Sequence, residues 1–270
     1  MNEPAPAPAA MRAASTVLVT GASAGIGREL AKAAVETCDT LVLVARRRER
    51  LEELAAELEG LRPGVRALPW PADLADAGER RALPAALAAE GVTVDWLVNN
   101  AGFGAAGRFD EIDADRLQAM VEVDVAALHH LCRLFLPGMV ARGRGGVLNV
   151  ASTAAYQPLP WMATYGAAKA FVLSLSEALW EELRGSGVAV TCLCPGRTRT
   201  EFFAEADMEG IPFMKVPAAD PAQVARAGWQ GLLDGKRVVV PGVQNRLNAA
   251  LAPRLPRRPV LAVTGKLFRR

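Results

Sequence analysis

What most constrains the fold of this chain is an alternation. "TVLVT", "TLVLVA", "GVRALPW", "DWLVNN", "GGVLNV", "VAVTCLC" and "RVVVPG" are short apolar or β-branched runs with turn residues close by. Between them lie longer stretches with helical spacing. In "RRRERLEELAAELEG", Leu51, Leu54 and Leu58 recur at one face while Arg and Glu occupy the others. Strand, helix, strand, helix persists to the end, and parallel strands are the ones that need a helical crossover between them. Strands that are apolar almost throughout fit a sheet covered on both faces. The pattern predicts an α/β fold: a doubly wound parallel sheet of about seven strands with helices on both faces.

Composition does not divide the 270 residues, of which 51% are hydrophobic and 22% charged. One domain over 16–242 is expected, between a Pro/Ala-rich flexible tail at 1–15 and a basic extension at 243–270. No apolar run reaches the length of a membrane span, and the opening lacks a signal-peptide block. Cys38, Cys132, Cys192 and Cys194 form no CxxC pair and suit a reducing, cytoplasmic setting. With His129 and His130 the only histidines, no metal site is expected.

The first strand runs directly into "TGASAGIGREL", which puts Gly21, Gly25 and Gly27 at the mouth of a helix. Glycines there allow a tight turn and close backbone approach, and the helix N-terminus offers free N–H groups to a pyrophosphate. After a strand and before a helix, such a loop reads as a dinucleotide site in a Rossmann-like sheet. The second strand ends at "LVLVARRRER". Where an NAD-binding protein carries an acid for the ribose 2′-hydroxyl, this chain has Ala45 and then Arg46. Three arginines at a helix start oppose its dipole, whereas a 2′-phosphate would reverse that penalty, so NADP is favoured over NAD. The competing reading is a solvated basic face paired with Glu49, Glu52 and Glu53.

"ATYGAAKAF" places Tyr165 and Lys169 four residues apart, hence on one helical face, with only Gly and Ala between them. Alone, such a pair is more often an ordinary amphipathic turn. Its company decides otherwise. In order come "TGASAGIG", Asp73-Leu74 after the third strand, "NNAG" at Asn99 to Gly102, a serine before the tyrosine, Tyr165xxxLys169, and Pro195-Gly196. Together these motifs resemble the short-chain dehydrogenase/reductase family, of the short single-domain type, from about Thr16 to Gly242.

The resemblance implies an oxidoreductase that moves a hydride between NADP and a carbonyl or secondary alcohol. It implies cofactor contacts from Gly21, Ser23, Gly25, Ile26 and Gly27, from Arg46, and from Asp73 and Leu74 beside the adenine. Asn100, Ala101 and Gly102 would let the cofactor backbone approach, and Pro195, Gly196, Thr198 and Thr200 would line its nicotinamide end. Tyr165 would be the proton donor or acceptor, its phenol lowered by the nearby cations of Lys169 and an oxidised nicotinamide. Lys169 would also hold the nicotinamide ribose, and Ser152 would orient the substrate oxygen, with Thr153 the alternative in register. Tyr156 lacks a lysine four residues on. Many members carry an asparagine that organises a proton-relay water where "VEVDVAAL" has Asp124; an ionised carboxylate there would favour a charged Lys169.

After Pro195-Gly196, "RTRTEFFAEADMEGIPFMKVP" is long and apolar. Phe202, Phe203, Met208, Phe213 and Met214 either close over an apolar substrate or pack on the core or a neighbouring subunit. A hydrophobic ketone, aldehyde or 3-oxoacyl compound is the expected substrate class. The segment from Gly235 to Arg270 holds nine of the 31 Lys and Arg and none of the 29 Asp and Glu. It either packs on its own protein or a second subunit, or attaches to an anionic membrane surface. Nucleic acid is a poorer fit. The resemblance further implies a homodimer or homotetramer. The competing function is a non-catalytic NADP-binding sensor or scaffold, which would need the glycine loop but no proton donor.

Overall fold

Seven strands pair in parallel in the computed structural model, which describes residues 15–269. They are β1 (Thr16–Thr20), β2 (Thr40–Ala45), β3 (Arg66–Pro71), β4 (Trp96–Asn99), β5 (Gly145–Val150), β6 (Val188–Leu193) and β7 (Val238–Val239). The order across the sheet is β3-β2-β1-β4-β5-β6-β7. It reverses between β1 and β4, and that switch point opens a crevice at the carboxyl ends of the strands.

The helices are α1 (Gly25–Val35), α2 (Arg48–Leu61), α3 (Ala77–Ala89), α4 (Ala114–Val121), α5 (Leu128–Arg142), α6 (Ala163–Glu182), α7 (Phe202–Glu205), α8 (Pro221–Leu233), α9 (Val243–Leu251) and α10 (Arg257–Phe268). Alternation along β1 sends Val17 and Val19 to one face and Leu18 to the other. On the first face they meet Leu30 of α1, Leu51, Leu54 and Leu58 of α2, and Val224 and Leu232 of α8. On the second, Leu18 joins Leu83 and Leu87 of α3, Leu131 and Phe135 of α5, and Val172 of α6. Trp96 packs edge-on against Trp229 at 6.2 Å. Gly146 on the neighbouring strand makes the room, since a Cβ there would lie 2.6 Å from the Trp96 ring.

A third apolar cluster sits beyond the strand ends, where Leu159, Met162, Met208 and Ile211 meet Phe268 of α10. The basic segment therefore folds back as α9 and α10 over the crevice, as the packing alternative for it required. Thr264 donates to the Pro158 carbonyl at 3.4 Å, and Phe213 stacks on Phe268 at 4.5 Å. At the other end, Ser15 belongs to the folded part, its hydroxyl donating to the Thr37 carbonyl at 3.1 Å. The rest of the expected flexible tail lies outside the described residues.

Candidate active site

The loop between β1 and α1 is held by polar contacts from β4. Thr20 Oγ1 donates to the Val98 carbonyl at 3.2 Å and accepts from the backbone N–H groups of Asn100 and Ala101 at 2.9 and 3.0 Å. The Asn100 amide in turn donates to the Thr20 carbonyl at 3.1 Å. Gly27 is required by packing, because a Cβ there would stand 2.3 Å from both the Gly21 carbonyl oxygen and the Asn100 amide. Gly21, at φ +65°, needs glycine for its turn as well. Helices α3, α4 and α8 are capped by Asp76, Asp113 and Asp220, whereas α1 has no side-chain cap and no acid in its first turn. Its free N–H groups and positive dipole end face the cleft, which is the chemistry a pyrophosphate uses.

At the β2 end of the cleft stand Ala45, Arg46 and Arg47. The arginines do not all pair along their own helix, as the solvated-face reading required. Arg48 does reach Glu52, at 3.8 Å, but Arg50 binds both carboxylate oxygens of Glu201 at 2.9 Å. Arg47 donates to Ser23 Oγ at 3.1 Å and to Glu201 at 3.3 Å. These arginines, aided by their hydrogen bonds, hold the Glu201 carboxyl below the usual range. A cationic fork with no acid at Ala45 fits a 2′-phosphate.

The reacting face lies where β4, β5 and α6 converge. Lys169 is 5% exposed; its Nζ is 3.1 Å from Asp124 Oδ2, 3.4 Å from the Val150 carbonyl and 5.5 Å from the centre of the Tyr165 ring. Asp124 lies in a π-helical turn, Glu122–Ala127, and its Oδ1 accepts the Phe103 N–H at 2.9 Å. Gly102 leaves the carboxylate its space: a Cβ there would lie 2.9 Å from Oδ2. Burial works to lower the Lys169 ammonium, but Asp124 and Tyr165 outweigh it, and its pKa lies above the ordinary value. Burial likewise pushes the Asp124 carboxyl up against the pull of Lys169. The pair titrates as one unit.

Lys169 pulls the Tyr165 phenol down, as the cation beside it should. Burial instead carries that phenol above its ordinary value, and the opposing pull of Lys169 and Ser152 does not overcome it. Asp124, of opposite sign beside Lys169, adds a smaller upward push to that of burial. Smallness between the two residues also has a local cause, since a Cβ on Gly166 would lie 2.9 Å from that of Leu159.

The crevice encloses about 500 Å³ and gathers most of the sequence-nominated residues along one wall. Gly21, Ser23, Gly25 and Ile26 line it with Arg46, Asp73 and Leu74; Asn100, Ala101 and Gly102 follow. Ser152, Tyr165, Lys169, Pro195, Gly196, Thr198 and Thr200 complete that wall. Gly27 and Asp124 support it from beneath. Facing Tyr165, the side chains of Leu159, Met162, Phe202, Phe213 and Phe268 make an apolar wall, with Phe202 at 5.2 Å from the Tyr165 ring.

Sequence reasoning missed Thr20, Arg47, Arg50 and Glu201 as a set, and Asn245 and Phe268 from α9 and α10. Thr20 and the Arg47–Glu201 contact carry no signal at short range. Asn245 carries no such signal either; it meets Gly196 only in the fold, where a Cβ on that glycine would lie 2.5 Å from its amide. Tyr156 is set apart from the reaction, its hydroxyl 3.8 Å from Cys194 Sγ and its pKa raised by burial.

A family model described as short chain dehydrogenase matches residues 15–209. The chain is 38% identical over 182 residues to a very-long-chain 3-oxoacyl-CoA reductase of Mycosarcoma maydis, covering 67% of this chain and 52% of that protein. It is 32% identical over 220 residues to the NADP-dependent 3-hydroxy acid dehydrogenase YdfG of Salmonella typhi, covering 79% of this chain and 87% of that one. Among solved structures, a short-chain dehydrogenase from Sphingobium yanoikuyae in complex with NADPH superposes with a TM-score of 0.79 at 32% identity, covering 92% of this chain and 95% of the other. The chain spans about half the length of the 3-oxoacyl-CoA reductase.

Proposed function

The chain belongs to the short-chain dehydrogenase family, and from that premise we propose an NADP-dependent oxidoreductase that reduces an apolar ketone, aldehyde or 3-oxoacyl compound, or oxidises the matching alcohol. The observation that carries this reading is one cleft with an uncapped helix and an arginine fork at one end and Tyr165 beside Lys169 at the other. The NADPH and the NADP dependence named for two similar proteins support the choice of cofactor.

The N–H groups at the start of α1 would hold the pyrophosphate, Arg46 and Arg47 the 2′-phosphate, and Asp73 and Leu74 would border the adenine. When bound, the nicotinamide supplies or accepts the hydride. Tyr165 holds the proton that a carbonyl oxygen needs on reduction, and its raised pKa keeps that proton in place at neutral pH. Ser152 stands beside the phenol to orient the same oxygen. Lys169, kept charged by Asp124, would stabilise the phenolate left behind and would hold the nicotinamide ribose.

Carbon-3 chemistry is what the names of two relatives share, and the apolar wall of Met162, Phe202, Phe213 and Phe268 suits a hydrocarbon body next to that carbonyl. A homodimer or homotetramer also suits the chain. Exposed Phe109, Val121 and Phe171 support it, on and around α4 and α6. A non-catalytic sensor would have no use for a buried Asp124–Lys169 pair beside a phenol. The test is NADPH oxidation across a carbonyl panel. Preference for apolar ketones is expected; preference for small polar oxo acids would overturn the substrate class.

A further inference from the structure

Half of the exposed large apolar side chains among the described residues sit on one short piece of chain: Val243, Leu247, Leu251, Leu255, Leu261 and Val263. On α9, Val243, Leu247 and Leu251 recur every fourth residue and so form one stripe, more than half exposed at each position. The opposite side of the helix faces the protein, with Ala249 buried and Asn245 against Gly196. Arg246 lies on the same helix, and Arg254, Arg257 and Arg258 follow in the turn and at the start of α10, all exposed. No acid lies anywhere from Gly235 to Arg270, whereas residues 1–234 carry 29 acidic against 22 basic groups.

We propose that α9, α10 and the turn between them form a docking surface for an anionic lipid bilayer. Exposed leucines beside arginines match the two layers of a membrane surface, acyl boundary below and phosphate headgroups above. The acidic remainder of the chain would be repelled from that surface, which fixes this face as the one that docks. A second copy is a poorer occupant. A two-fold contact would set these arginines against themselves with no carboxylate in the segment to separate them. No helix among the described residues is long and apolar enough to cross a membrane, so the attachment is peripheral.

The inner side of the same helices is the outer wall of the crevice, lined by Asn245, Asn248, Thr264, Leu267 and Phe268. Docking therefore sets the apolar side of that crevice at the lipid boundary. The route this opens for an apolar substrate rests on the reductase reading; the docking itself does not.

The test is flotation of the full chain with vesicles of phosphatidylcholine alone, or of phosphatidylcholine and phosphatidylserine in equal parts. Binding only to the anionic vesicles is expected, with release as salt rises. Leu247→Gln with Leu251→Gln, and separately Arg254→Gln with Arg258→Gln, should each lower the bound fraction by about tenfold. These side chains are exposed, so the melting temperature should hold. Three results overturn the proposal: no flotation at low salt, equal binding to both vesicles, or flotation untouched by either double variant. Sedimentation of the leucine variant separates the alternative, since loss of a dimer with unchanged flotation would assign the stripe to a second copy. Flotation needs no turnover, so its failure and failure of the reductase reading are told apart.

Discussion

Lys169 Nζ lies 3.1 Å from Asp124 Oδ2, and both side chains are shut away from solvent. The pair makes the site's protonation state a property of three groups rather than two. Asp124 raises the Lys169 ammonium, and it also raises the Tyr165 phenol. Asp124→Asn should therefore keep measurable turnover while moving both downward. Reduction needs the protonated phenol, so its rate is full below the phenol pKa and lost as pH rises through it. In the variant that alkaline loss should begin at lower pH. The check is kcat/KM for carbonyl reduction against pH, and a superimposable profile would leave Asp124 a structural role only.

The alternation of strand and helix was legible because parallel sheets need apolar strands and amphipathic crossovers, and all seven runs became strands. The wall of the cleft was legible for a related reason: glycine loop, "NNAG" and Tyr165xxxLys169 each act through residues close in sequence. What the sequence hid joins distant segments. The Arg47–Glu201 contact spans 154 positions, and Phe213 meets Phe268 across the crevice. Local periodicity carries no trace of such pairings. For the Tyr165 phenol, spacing showed the nearby cation, while the burial that raises its pKa depends on the whole packed site.

Glu201 competes for Arg47, one of the two arginines assigned to the 2′-phosphate, and also holds Arg50. Glu201→Gln should free Arg47 and Arg50 and tighten NADPH by about twofold to fivefold, the scale of exposed ion pairs. Arg46→Asp and Arg47→Asp should instead weaken NADPH and leave NADH nearly unchanged. Titration of cofactor fluorescence measures each. An unaltered preference for NADPH in both aspartate variants would remove these arginines from cofactor choice.

Gly27→Ala puts a methyl group against the Gly21 carbonyl at 2.3 Å, where backbone rather than a flexible side chain must yield. A loss of about 1 to 3 kcal/mol in stability is expected, with weaker cofactor binding because the displaced loop carries the start of α1. Thermal melts with and without NADPH check both parts. Full stability with full affinity would contradict the packing account.

Phe268→Ala removes the ring that stacks on Phe213 over the crevice. Turnover of apolar ketones should fall about threefold to tenfold in kcat/KM, the scale of one aromatic pair, while small carbonyl compounds change little. Equal effects on both classes would mean that α10 supports the site without shaping its specificity.

The central claim is that Tyr165 carries the proton, and steady-state NADPH oxidation by Tyr165→Phe tests it most directly. The substitution keeps the ring against Phe202 and removes only the hydroxyl. Loss of about two to four orders of magnitude in kcat, with NADPH affinity retained, is the predicted result. Turnover close to that of the unsubstituted protein would contradict the account.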